Sequence, residues 1–396
     1  MKSLFFGTQT TAASTSATNY IYPAGSNVAT PSSTEAIRQI PMPVAGTIRN
    51  FAVTHDVAPS SGKSWFYSVH KNGAATGVSV TIADTAVSAV DSTNSFAFQP
   101  GDLISIAVVP TGTPTAPGIY YWDMEVNAAG QIIIGGNGNT PSNSATNYTN
   151  LQGPAITSWT ATETNVQGIC PTGGTISNLY VHASGAANTG ASYTFTVRDG
   201  GDTALTCAIS GSSQTDNSDL THSFTVAAGD KLALKCVPAS TPAARSFWWS
   251  CLFTPTVDGE SWFSFGNSAV PSASATNTEQ GFLAGANGWN ATEANVKGFI
   301  GPQTLKNFYV SLVTAPGGVT TRKFTVRKNA GDTALNPTIT GAATTQNVTA
   351  DVSFARGDQF DIHSELTGSP AAATGGVHMG FLVYNAPAAR RRPEVI

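Results

Sequence analysis

Six histidines, four cysteines and 23 carboxylic acids are the residues of this 396-residue chain that could do chemistry. His55, His70, His182, His222, His363 and His378 are scattered, with no His-x-x-x-His pair of the kind that holds a metal. Edge and surface positions suit them best. Cys170, Cys207, Cys236 and Cys251 contain no Cys-x-x-Cys pair, which counts against a zinc ribbon or a thioredoxin-like centre. They read as buried thiols; one or two disulfides also fit, and spacing does not fix their connectivity. Neither a Gly-x-Ser-x-Gly elbow nor a Gly-x-x-x-x-Gly-Lys-Ser/Thr loop occurs. Glycoside hydrolysis needs two acids on facing strands, and no convincing pair stands out. The expectation is therefore a non-enzyme, with no catalytic residue, no cofactor-binding residue and no metal ligand.

Aromatic clusters are the stronger signal. Tyr120-Tyr121-Trp122 and Phe247-Trp248-Trp249 are runs of adjacent rings. On a strand, neighbours point to opposite faces. The inward rings belong to a core. The outward ones are expected to seal a contact between domains or subunits, with stacking on a sugar as the alternative. At the C-terminus, Arg390, Arg391 and Arg392 lie between Pro387 and Pro393. They read either as a solvated tail or as an arm anchored on an acidic neighbour.

The elements that carry these residues come in three copies. Ser16-Ala17-Thr18-Asn19 recurs as Ser144-Ala145-Thr146-Asn147 and Ser274-Ala275-Thr276-Asn277. Thr34-Glu35 recurs at Thr162-Glu163 and Thr292-Glu293, and Gly101-Asp102 at Gly229-Asp230 and Gly357-Asp358. The period is about 128 residues, the size of an independent domain and too long for a solenoid repeat. Each copy reads as short strands. Tyr193, Phe195 and Val197 alternate along one strand, as do Trp65, Tyr67 and Val69 in the first copy. Lys71-Asn72-Gly73, Asp199-Gly200-Gly201 and Asn329-Ala330-Gly331 follow as hairpin turns. The Gly-Asp pairs read as turn caps. The three repeated glutamates are expected to satisfy backbone donors in a shared loop, and Thr162-Glu163 to open a short turn with the threonine as cap.

No long stretch has helical periodicity. The predicted fold is all-β: three tandem β-sandwich domains, jelly roll before immunoglobulin-like, spanning 1–129, 130–257 and 258–386, with a basic tail at 387–396. The links at 127–130 and 254–259 are short, so neighbouring domains should touch.

Only 11% of residues are charged and the net charge is -4. That argues against a basic face for nucleic acid. No run of 18 apolar residues exists to cross a membrane. The apolar run at Leu4-Phe5-Phe6 is too short for a signal-peptide core, so a protein made in the cytoplasm is expected. The lines Gly-Thr-Ile-Ser-Asn-Leu-Tyr-Val (174–181), Tyr-Thr-Phe-Thr-Val-Arg-Asp-Gly (193–200) and Ala-Ala-Gly-Asp-Lys-Leu-Ala-Leu-Lys (227–235) resemble virion proteins of tailed bacteriophages. Such proteins include head decoration or cement proteins, head fibres and tail fibres. The resemblance implies a non-enzymatic role in a virion assembled in the host cytoplasm. The implied partners are the major capsid protein or other virion subunits, with self-association open, and neither nucleic acid nor membrane. Heptads and a Gly-X-Y period are missing, so a compact decoration protein is preferred to a long fibre. A glycan-binding fibre or adhesin and a carbohydrate-active enzyme accessory are the runners-up.

Overall fold

The structure, a computed structural model, describes residues 1–26, 30–154, 159–267, 271, 277–281, 289, 292–293, 298–299, 301–372 and 376–385. Among these residues there is no α-helix; strands dominate, with short 3-10 turns at Glu35–Ile37 and Glu163–Asn165. The expected short turn forms at Glu163–Asn165, but neither turn has a side-chain cap, so Thr162 does not play the expected capping role.

Six sheets form, two from each third of the chain. In the first third, one sheet runs Gly25–Ser26, Lys2–Gln9, Tyr120–Ala128, Gly46–His55, Ser88–Phe98. The other runs Asn19–Ile21, Leu103–Thr111, Ser60–Lys71, Ala74–Asp84, with Ile40–Pro41 also on Leu103–Thr111. The middle third repeats this order. Gly153–Pro154, Gln131–Asn137, Phe247–Pro255, Gly174–Ala183 and Asp216–Val226 form one sheet. Asn147–Thr149, Lys231–Ala239, Asn188–Asp199 and Asp202–Gly211 form the other. In the last third the orders are Glu260–Asn267, Val377–Tyr384, Gln303–Leu312, Thr345–Phe354 and Asn277–Gly281, Gln359–Thr367, Thr321–Lys328, Gly331–Asp332. Pairing is antiparallel except where Gly25–Ser26 and Gly153–Pro154 lie parallel to the first strand of their third.

Alternation explains the cores. Trp65, Tyr67 and Val69 are buried and meet Phe51 and Ile48 of the facing sheet in one cluster. Tyr193, Phe195 and Val197 do the same with Ile176 and Leu179. Phe324 and Val326 do so with Phe308 and Val310. The hairpin after Lys71 turns on Asn72 and Gly73, whose φ values of 54° and 81° suit the tight turn that Asn-Gly favours. Bulges at Asn50 and Asn178, with φ of 54° and 55°, break the register of the strands that carry them.

Glycines on the first strands make room for indoles. A Cβ on Gly7 would overlap the Trp122 ring, one on Gly135 the Trp249 ring and one on Gly136 the Trp248 ring. These rings are buried and held by neighbours, so they cannot swing away. Gly135→Ala should therefore cost about 1–3 kcal/mol through overpacking. Urea unfolding should show a lower midpoint with an unchanged slope; an unchanged midpoint would contradict this packing.

Candidate functional site

The last strand of each third lies antiparallel to the first, and its residues divide into two rows. Tyr120, Trp122 and Met124 point into the first core. Phe247, Trp249 and Cys251 point into the second. Val377, Met379 and Phe381 point into the third. The residues between them face the other way. Tyr121 pairs with Thr8, Trp248 with Gly136 and His378 with Gly266. These three occupy one register position, and all three are buried: 6%, 0% and 2% exposed.

What covers them is another third of the chain. Trp248 joins the first core cluster and donates its Nε1–H to the Tyr22 hydroxyl at 3.0 Å. Arg38 lies over the Tyr22 ring and donates to the Ile37 and Thr30 carbonyls. His378 lies at the contact with the middle third, beside Thr164, Gln167 and Lys231. Tyr121 lines a crevice with Gly301, Arg356 and Gly357 of the last third.

The remaining contacts follow the same cyclic order. The first third meets the middle third where the Asn178 side chain donates to the Pro43 carbonyl at 3.1 Å and the Tyr180 ring lies by Gly101. The middle third meets the last where the Tyr309 ring lies by Gly229. There Gln131 and Gln152 accept from the backbone N–H groups of Trp262 and Ser264, at 2.8 and 2.7 Å. The last third meets the first through Arg356 to Asp123 at 2.9 Å and an edge-on contact of Phe6 with Phe263, centroids 5.7 Å apart. Each third thus touches both others.

Every ring of the two predicted aromatic runs is enclosed. Tyr120 sits among His55, Tyr67 and Trp122. Trp122 donates to the Pro23 carbonyl at 2.9 Å and Trp249 to the Leu151 carbonyl at 2.7 Å. Phe247 packs on Tyr193 and Phe195. None presents a face for a sugar to stack on. The role of Tyr22 as the partner of Trp248 had no signal in the sequence, because it sits in a different copy of the repeat. The predicted arm of Arg390, Arg391 and Arg392 lies outside the described residues.

The repeated acids hold loops. Asp102, Asp230 and Asp358 accept the backbone N–H three residues earlier, at 2.6–2.8 Å, and so close the turns they sit in. The repeated glutamates depart from expectation: among the described residues they bond side chains and not backbone donors. Glu35 meets His70 and Ser105, Glu163 meets Arg198 in a two-pronged pair, and Glu293 meets Arg327. The reason is register, since His70, Arg198 and Arg327 occupy the same place on equivalent strands and reach the same loop. All four cysteines are free and buried. Burial pushes the Cys170 and Cys207 thiols up to about 12, away from the reactive thiolate. Asp332, His363 and Glu365 are close enough to share a metal ion. Both carboxylates already pair with cations, however, Asp332 with Arg327 at 3.1 Å and Glu365 with Lys323 at 2.7 Å.

No model of a known protein family matches the chain, and no curated protein matches it.

Several shifted groups should make the fold sensitive to acid. Burial pushes Asp91 and Asp219 up, but backbone N–H bonds outweigh it: those of Asn94, Ser79 and Thr93 on Asp91, and of Thr206, Thr221 and His222 on Asp219. Both carboxyls are held at about 2. Glu125, likewise buried, is held at about 2 by Lys2, Arg49, Asn50 and Asn127. Burial lowers His55 to about 4. His378 is lowered to about 4 by burial and by the nearby Lys231 charge, while the Thr164 backbone pulls the other way without hydrogen-bond geometry. The unfolded chain protonates its histidines first, so stability should fall as pH drops from 6.5 towards 4. The carboxylates should extend that loss from their ordinary range down to about 2. Melting temperature against pH is the check, and a flat profile from neutrality through that whole range would contradict it.

Proposed function

We propose that this chain is a non-enzymatic virion structural protein, a decoration or cement protein that binds and stabilises a bacteriophage head shell. The observation that carries the reading is the cyclic order of contacts among three like thirds. Such a chain imitates a homotrimer while remaining one polypeptide. It would present three related but unequal faces around a common centre, which suits a threefold or quasi-threefold position on a capsid. The likeness of its strand and turn lines to tailed-phage virion proteins supports the same reading. So does a surface poor in charge and rich in Thr, Ser and Asn, suited to broad hydrogen-bonded contact with little steering.

Within this reading the thirds are three tandem β-sandwich domains of jelly-roll type. The strand orders support that assignment. In the first third, the principal strands numbered one to eight along the chain fall as one, eight, three, six in one sheet and two, seven, four, five in the other. This is the interleaving that two nested Greek keys produce. The partners are then the major capsid protein or other virion subunits. Burial of both aromatic runs weighs against the glycan-binding alternative, which would need other residues.

Mass spectrometry of purified, washed virions and a reconstruction of the particle test the proposal. The protein should be present in stoichiometric amount, with three-lobed density at threefold or quasi-threefold sites of the shell. Absence from particles, or density confined to the tail, would contradict it.

A further inference from the structure

The three equivalent contacts are not equally filled. At the register position shared by Tyr121, Trp248 and His378, the first two carry large rings and the third a smaller, polar one. Where Trp248 fills its contact and bonds Tyr22, His378 leaves a cavity of about 170 Å³ between the middle and last thirds. Thr164, Gln167 and Lys231 line it from the middle third, and Ser311, Thr344 and His378 from the last, with Leu312 and Val313 as an apolar wall.

Two groups at this cavity are left unsatisfied. The His378 side chain is 2% exposed; the Thr164 backbone lies close to the ring, but neither Nδ1 nor Nε2 makes a well-aligned hydrogen bond. A buried polar group left in this state costs about 1–3 kcal/mol, so an occupant that satisfies it is favoured. The Lys231 ammonium forms no ion pair with any described residue, whereas nearby Lys235 pairs with Asp202. An unanswered cation and an unanswered imidazole thus share one half-enclosed space rimmed by hydroxyl and amide groups.

We propose that this cavity is a binding site for a small carboxylate anion, held between the Lys231 ammonium and the His378 ring. One carboxylate oxygen would accept from Lys231 and the other from the imidazole N–H, both within the donor capacity of these groups. Thr164, Ser311 and Thr344 supply hydroxyls, and Gln167 an amide, for the remaining lone pairs. Charge selects the class of ligand. A monocarboxylate balances one ammonium and matches two oxygens to two donors, while the dianionic form that phosphate populates at neutral pH would leave a negative charge uncompensated in a confined site. Size agrees, since the space holds a few waters or a small organic acid at about 30 Å³ per water. Bound there, the anion would bridge two thirds of the chain and tighten this contact by mass action. The inference rests on this cavity alone and is independent of any role on a virion.

The test uses the full chain at neutral pH, with acetate titrated against chloride at matched ionic strength. Melting temperature and the NMR signals of the His378 ring are followed together. The expected result is a saturable rise in melting temperature with a saturable shift of the His378 signals. Lys231→Gln should weaken the apparent affinity about tenfold or more, the worth of one charge-assisted bond. Lys231→Arg should retain most of it. An acetate response no larger than that of chloride would overturn the proposal, because the cavity would then hold water only. So would a response undiminished in Lys231→Gln, or inorganic phosphate binding more tightly than acetate. Should Lys231→Gln fail to fold, the wild-type His378 signals decide alone: no saturable shift with acetate overturns the proposal.

Discussion

A strand with aromatic residues on both faces cannot be satisfied by its own sandwich. The inward row fills the core it faces, and the outward row needs a second body. Phe247-Trp248-Trp249 sets this condition most severely, because Trp248 is fully buried yet belongs to the core cluster of the preceding third. Losing such a side chain costs about 3–5 kcal/mol, a large fraction of a domain's whole stability. Separating the first and middle thirds should therefore expose this ring and destabilise both. Much else follows from accommodating that indole. Gly136 leaves room for the ring that lies on it, Tyr22 turns its hydroxyl to meet the Nε1–H, and Arg38 lies over the Tyr22 ring.

The repeat is used unequally at its three contacts. The indole contact is filled by a fully buried ring. The contact at Tyr121 adds an ion pair, Arg356 with Asp123, where burial pushes the carboxyl up and the guanidinium opposes it. The contact at His378 is underfilled and sets polar groups against an apolar wall. Three identical subunits would have been bound to make three identical contacts. A single chain is free of that rule, and each contact here has a different chemistry on the same backbone frame.

Much of the fold was legible from period and alternation. Three copies, their strands, the hairpin at Asn72-Gly73 and the turn-closing role of Asp102, Asp230 and Asp358 all follow from local rules. These depend on neighbours within a few residues, or on a pattern repeated along one strand. The glutamate partners were not legible, because His70, Arg198 and Arg327 lie some 35 residues downstream of their acids and differ in type between copies. The fit of Trp248 with Tyr22 was hidden for the same reason, at a separation of 226 residues. Alternation says which rings point outward. It does not say what they meet. The cavity at His378 is a difference between copies, visible only once the three register positions are superimposed.

The most direct test of the account is hydrogen exchange in Trp248→Ala compared with the wild type. If Trp248 is a shared core residue of two thirds, exchange should quicken in Phe247–Pro255 and also across the boundary, in Asn19–Ile21 and Ile40–Pro41 of the first third. Faster exchange confined to residues 131–255, with the first third unchanged, would contradict it.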